Sequence, residues 1–221
     1  MRLYELPQRL VRLGIFYGQY RGNLLQKEEI FMKSKKKILT VKRICLNAMM
    51  IALYVVLGFA KIPIGNILRI NLAFFAVVVS ATAFSPIDGL IVGFMGEFLS
   101  QVLGPYGLTP TTPLWALPEA VRGGLLGLMM LIFVKKHLSA TVLLKSRKIV
   151  YYLIASIVIG MIASLFNTLA LYVDSKMFGY YSYYMVFGIL LIRLALAAVL
   201  SGAFGYVALH IVSAMKRNNI I

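Results

Sequence analysis

Residues 150–173 read VYYLIASIVIGMIASLFNTLALYV, an unbroken apolar run with no Asp, Glu, Lys or Arg. As an α-helix this run is about 36 Å long at 1.5 Å per residue. A hydrocarbon core about 30 Å thick needs roughly 20 such residues. Backbone amides in lipid must be bonded within their own segment, so a helix is the required form. Working outward, the same reading gives further crossings over 44–60, 70–84, 87–103, 114–134 and 183–215. The second is short. The last is too long for a simple span and must tilt, break or extend beyond the bilayer, with Ser201-Gly202 as the expected weak point. The period-2 alternation of a membrane barrel is absent. The expected fold is an all-α integral membrane bundle of six transmembrane helices.

Composition agrees. Hydrophobic residues make up 61% of the 221-residue chain and the mean hydropathy is +0.86, against about 45–50% apolar residues in soluble domains. The length suits one domain. The single cysteine, Cys45, excludes an internal disulfide, and no CxxC or Cys/His cluster points to a metal. Neither a metal nor a cofactor is expected.

The net charge of +16 raises the question of nucleic acid, but its placement answers otherwise. Eleven of the 23 Lys/Arg precede residue 44 and five lie between 135 and 148. Basic residues gathered between apolar runs mark cytoplasmic loops, and anionic lipid headgroups are their natural partners. With both termini in the cytoplasm, eighteen basic residues fall inside and three (Lys61, Arg69 and Lys176) fall outside. Nucleic-acid binding is not expected.

Ser85-Pro86-Ile87-Asp88 places a capping hydroxyl ahead of a first-turn proline and an acid, which predicts a sharp start to the third helix. Residues 1–31 are mixed in polarity, and charge interrupts any signal-peptide core. They read as an amphipathic arm on the membrane surface or as upstream translation. Lys27-Glu28-Glu29 can be encoded by a ribosome-binding-site-like sequence just ahead of Met32-Lys-Ser-Lys-Lys-Lys. Met32 is the expected start, and 32–221 the membrane domain.

Charged groups inside a membrane span cost roughly 2.5–3.5 kcal/mol on insertion scales and usually face a cavity or a partner. Here they are Glu97, Glu119, Arg122 and Arg193, with Glu119 and Arg122 three apart on one helix face. One reading is a buried ion pair that only fixes packing; the other is a polar cavity that binds a solute. Two acids and two bases on three helices exceed what packing needs. Further polar and aromatic candidates gather at the outer ends of the spans: Arg69 and Asn71, then Gln101, Tyr106, Thr109, Thr111, Thr112 and Trp115, then Asn167, then the tyrosines of 180–184. Aromatics there also serve as a membrane belt, yet aromatic walls with a few directed polar groups are what a small-molecule site requires. Pro105, Pro110, Pro113 and Pro118 stiffen this region, as a shaped cap would need. On the first span Ala48 and Ala52 stand one turn apart, a small-xxx-small face that permits close helix approach.

Taken together, these features resemble the substrate-binding S components of energy-coupling factor (ECF) vitamin transporters. The resemblance covers 32–215. It rests on the six spans with a basic start, Ala48-x-x-x-Ala52, the turn Phe84-Ser85-Pro86-Ile87-Asp88-Gly89, and the polar segment from Gly96-Glu97 to Leu114-Trp115. It implies a multi-pass protein of the bacterial cell membrane, and no enzyme. Such a protein captures a water-soluble vitamin from outside and delivers it through a transmembrane T component powered by two cytoplasmic ATPases. The chain carries no GxxxxGK[ST] of its own. By position, the resemblance assigns Ala48 and Ala52 to the T component. It makes Arg69, Asn71, Glu97, Gln101, Trp115, Glu119, Arg122, Asn167 and Arg193 the substrate candidates. The density of charge leans toward an acidic vitamin such as pantothenate or folate, with cobalamin, queuosine precursors, thiamin-like and flavin-like ligands left open.

Two other classes are weighed against this. A stand-alone secondary transporter usually shows inverted repeats with broken helices, and no convincing repeat is present. An intramembrane enzyme would need a motif such as HExxH or GxSxG, and neither occurs; His137 and His210 lie near cytoplasmic ends.

Overall fold

The computed structural model describes residues 41–60, 62–64, 68–105, 107–135 and 140–218, with 62–64 and 68–70 as backbone only. The chain divides into two compact units, Met1–Cys45 and Leu46–Ile221, and the cavity described below lies wholly in the second. The expected arm over 1–31, Met32, Tyr106 and His137 lie outside the described residues.

The described residues are almost entirely helical: α1 (Val41–Phe59), α2 (Phe74–Ala83), α3 (Pro86–Val102), α4 (Thr112–Lys135), α5 (Ala140–Lys145), α6 (Ile149–Met177) and α7 (Leu190–Arg217). One turn of π-helix, Tyr184–Gly188, precedes α7. An antiparallel pair, β1 (Ile62–Ile64) and β2 (Leu68–Ile70), joins α1 to α2. The segments containing α4, α6 and α7 are each long and apolar enough to cross a membrane. Leu191, Val199 and Val56 are at least 65% exposed, as side chains facing lipid rather than water are. The chain is a helical membrane protein.

The structure corrects two expectations. The second crossing, expected over 70–84, is helical only over Phe74–Ala83, about 15 Å. Residues 68–70 pair with 62–64 in register Ile62↔Ile70; Gly65-Asn66 between the two isoleucine-rich runs is the hairpin signal in the sequence. Helix α2 tolerates its shortness because nearly all of it, including Val77, Val78, Val79 and Ser80, is buried in protein. Non-helical backbone at membrane depth is acceptable where protein or a cavity covers it. Ser201-Gly202, in turn, does not break the last helix: Leu190–Arg217 is continuous. Ser201 is buried against Gly160, where any added Cβ would collide with its hydroxyl. The irregular turn lies instead at Tyr184–Gly188.

Ser85 caps α3 as expected, with Pro86 in the first turn. Its hydroxyl donates to Asp88 Oδ2 at 2.7 Å and accepts from the Asp88 amide. The other carboxylate oxygen accepts from Asn47 Nδ2 at 2.6 Å, which ties the turn to α1. Three clusters form the core. Tyr54, Ala76, Val77 and Val92 join α1, α2 and α3. Phe74, Val78, Leu126, Ile159 and Ala208 join α2 to α4, α6 and α7. Leu143, Tyr152, Leu209 and Val212 close the end where α5 lies. Packing rather than water exclusion holds helices together in lipid, so close approach matters most. Helices α3 and α4 achieve it through Gly89 and Gly93 facing Gly123 and the Glu119 backbone; a Cβ at any of these glycines would strike the opposite chain.

Candidate functional site

That glycine contact sets Glu97 on α3 beside Glu119 and Arg122 on α4. The cavity opens at the end of the second unit where α3 and α6 finish and α4 and α7 begin. It has a volume of about 420 Å³, within the range of small-molecule sites. Of the nine substrate candidates, Asn71, Glu97, Trp115, Glu119, Arg122, Asn167 and Arg193 line it. Gln101 is not a lining residue but reaches the site through Glu97, to whose Oε1 it donates at 2.7 Å. The side chain of Arg69 lies outside the described residues. Phe74, Pro118, Leu171, Leu196 and Leu200 supply apolar wall.

The polar groups differ in how fully they are partnered. Glu97, 9% exposed, is held at both oxygens, since Tyr54 donates to Oε2 at 2.6 Å. Asn71 accepts from the Ala73 amide at 2.9 Å and so leads into α2. Arg122 lies 3.1 Å from Glu119, one turn back on α4, and its guanidinium carbon sits 4.1 Å from the centre of the Phe74 ring. This pair is not self-sufficient: among the described residues, Arg122 Nε and Glu119 Oε2 are buried and find no hydrogen-bond partner. Arg193 donates through Nη2 to the Met185 carbonyl at 2.8 Å, fixing the π-turn ahead of α7, while its Nη1 is buried without a partner. Buried polar atoms are rarely left so. The ion-pair-only reading therefore accounts for one contact of the cluster and leaves at least three polar atoms, on three side chains, unexplained.

Two residues that hold neighbouring groups in place, Asp174 and Tyr54, fall outside the candidates read from the sequence. Asp174, 8% exposed at the end of α6, accepts from Thr111 Oγ1 and from the Tyr180 hydroxyl. It thereby joins the start of α4 to the segment after α6. Thr111 in turn contacts Thr109, which also meets Thr112. Lys176 stands 3.9 Å above the Tyr181 ring. Asp174 sits one residue past the expected end of the fifth span at 173, where an acid reads as a solvated loop. Tyr54, also missed, carried the clearer signal: a hydroxyl in the middle of an apolar helix needs a partner.

Ala48 and Ala52 are exposed along with Met49, Leu53 and Val56, forming one face of α1.

No curated protein and no solved structure matches the chain. A protein-family model described as ECF-type riboflavin transporter, S component, does match, over residues 38–217. The matched stretch runs from ahead of α1 to the end of α7 and takes in every residue lining the cavity. The family is one of transporter components, not of enzymes. Apolar spans, a solute-sized polar cavity at one end and this match agree: the chain belongs to the family of ECF-type transporter S components.

Proposed function

We propose that this chain captures a small water-soluble vitamin in the cavity between α2, α3, α4, α6 and α7, with riboflavin the favoured ligand. It works in a bacterial cell membrane with six crossings, both termini in the cytoplasm and the cavity facing outward. It delivers its cargo by docking on a transmembrane T component through Ala48 and Ala52, with two cytoplasmic ATPases supplying the energy. The eighteen-to-three distribution of basic residues supports the orientation.

The observation that carries the reading is the set of charged side chains on the cavity wall, Glu97, Glu119, Arg122 and Arg193, three of which also carry a buried atom with no hydrogen-bond partner among the described residues. Arg122 Nε and Arg193 Nη1 are donors in want of acceptors, and Glu119 Oε2 is an acceptor in want of a donor. Two acids and two bases face the space, so their formal charges cancel. A neutral, flat heterocycle whose edge carries both C=O and N–H suits a wall of arginine donors and carboxylate acceptors, and the riboflavin ring has such an edge. Phe74 and Trp115 add aromatic surface for a flat ring. The matched family description names the same vitamin.

An acidic vitamin such as pantothenate or folate is the second reading, favoured by the two arginine donors alone. Titration calorimetry of the detergent-solubilised full chain with riboflavin, pantothenate and folate separates the two. One-to-one riboflavin binding with no response to the acids supports the first reading. The reverse supports the second. Binding of none of the three refutes both ligand assignments.

A further inference from the structure

Among the described residues, helix α1 contributes none to the cavity wall, yet it holds one of the cavity's charged groups in place. Tyr54 is fully buried on the inward side of α1, two residues beyond the exposed Ala52. Gly96 makes room for it: a Cβ there would sit 2.6 Å from Tyr54 Cγ, so the ring rests on the α3 backbone. From that seat the hydroxyl donates to Glu97 Oε2 at 2.6 Å, while Gln101 holds Oε1 at 2.7 Å. Glu97 lines the cavity.

We infer that Tyr54 is a positioning residue that couples partner docking on α1 to ligand affinity in the cavity, acting through Glu97. The inference rests on the docking face proposed above. Helix α3 is locked to α4 by the Gly89, Gly93 and Gly123 contacts, so pressure on the outer face of α1 moves Tyr54 relative to Glu97. A displacement of about 1 Å takes a hydrogen bond of this length out of range. Glu97 and Gln101 are then free to turn, and the cavity loses its ligand-ready shape. Because coupling between sites is reciprocal, ligand that holds Glu97 in place also resists the docked arrangement of α1.

Tyr54→Phe keeps the buried ring and removes only the hydroxyl. The test uses the full chain in lipid nanodiscs, with and without the T component and ATPases. The infrared carboxylate band of Glu97, identified by its loss in Glu97→Gln, shifts on docking in the wild type. In Tyr54→Phe it stands already near the shifted position and docking leaves it there. With riboflavin as probe, the variant binds about tenfold more weakly in the free chain, the scale of one hydrogen bond to a charged group. Its docked affinity is unchanged, so the free-to-docked ratio falls toward one. A Glu97 band that docking does not move in the wild type overturns the inference. So does a Tyr54→Phe chain weakened equally in both states, which marks a merely structural hydroxyl. If the wild type ignores riboflavin while the band responds, the ligand assignment fails, the link from docking through Tyr54 to Glu97 stands, and pantothenate and folate replace riboflavin as the affinity probe. If Ala52→Trp still docks, the docking face fails and the coupling falls with it.

Discussion

Gly93 of α3 lies against the Glu119 backbone of α4, so close that a Cβ on Gly93 would overlap the Glu119 carbonyl. The contact fixes the spacing between the helices that carry Glu97 and Glu119. Gly93→Ala forces them apart and destabilises the protein by about 1–3 kcal/mol, the range for overpacking a tight interface. Gly124→Ala is the control, since its added methyl meets only the Leu90 side chain at 3.8 Å and beyond. Thermal unfolding in detergent should show a clear loss for Gly93→Ala and little change for Gly124→Ala.

Arg122 is boxed by Glu119 on one side and the Phe74 ring on the other. Arg122→Ala leaves a buried carboxylate without its counter-charge, a class of change that costs about 3–5 kcal/mol. It also removes a guanidinium from the cavity wall. Riboflavin affinity should fall at least about tenfold, or about 1.4 kcal/mol. Arg122→Lys keeps the charge but loses the planar fork and much of the ring stacking, so it should recover folding better than binding. Titration calorimetry beside a melting curve checks both; normal binding by Arg122→Ala removes this residue from the site.

The places of α1, α3, α4 and α6 along the chain were legible, though not every end, because a long apolar run bounded by polar residues has one solution in lipid. The Ser85 cap was legible because Ser-Pro-x-Asp is a local signal. The charged members of the cavity were legible for a different reason: Glu97, Glu119, Arg122 and Arg193 are too costly at membrane depth to be there by accident. What depended on tertiary contact was not. Helix α2 reads as a span by hydropathy, yet burial on all sides lets it stop after ten residues. Ser201-Gly202 reads as a weak point, yet its small size serves the approach of α6 to α7. Phe74 and Leu200 look like any other apolar residue until the cavity gives them a neighbour.

Asp174 clasps Thr111 and Tyr180 about one helical turn beyond the lining residues Leu171 and Trp115. Hydrogen bonds to a charged group are worth about 1.5–3 kcal/mol each, so Asp174→Ala should release both segments. Riboflavin should then dissociate roughly tenfold faster with its association rate little changed, as most affinity changes in related complexes reside in dissociation. Amide exchange over residues 107–115 should accelerate in parallel. Stopped-flow fluorescence measures the rates. A lower melting temperature with unchanged dissociation shows that the clasp serves folding alone.

The outer face of α1 makes the sharpest separation between capture and transport. Ala48 and Ala52 are exposed one turn apart, flanked by Met49, Leu53 and Val56, and small residues so spaced let another helix approach to backbone distance. An indole at either position holds that helix off without touching the cavity wall, to which α1 contributes no residue. Ala48→Trp and Ala52→Trp should therefore bind riboflavin as the wild type does, within about twofold, since surface changes away from the core usually stay within 0.5 kcal/mol. Uptake into cells or proteoliposomes carrying the T component and ATPases should fall to background. The paired result decides the matter because the two readouts share a ligand and differ only in the partner. Uptake that survives both substitutions places the partner on another face, and lost binding shows that the tryptophans disturbed the fold.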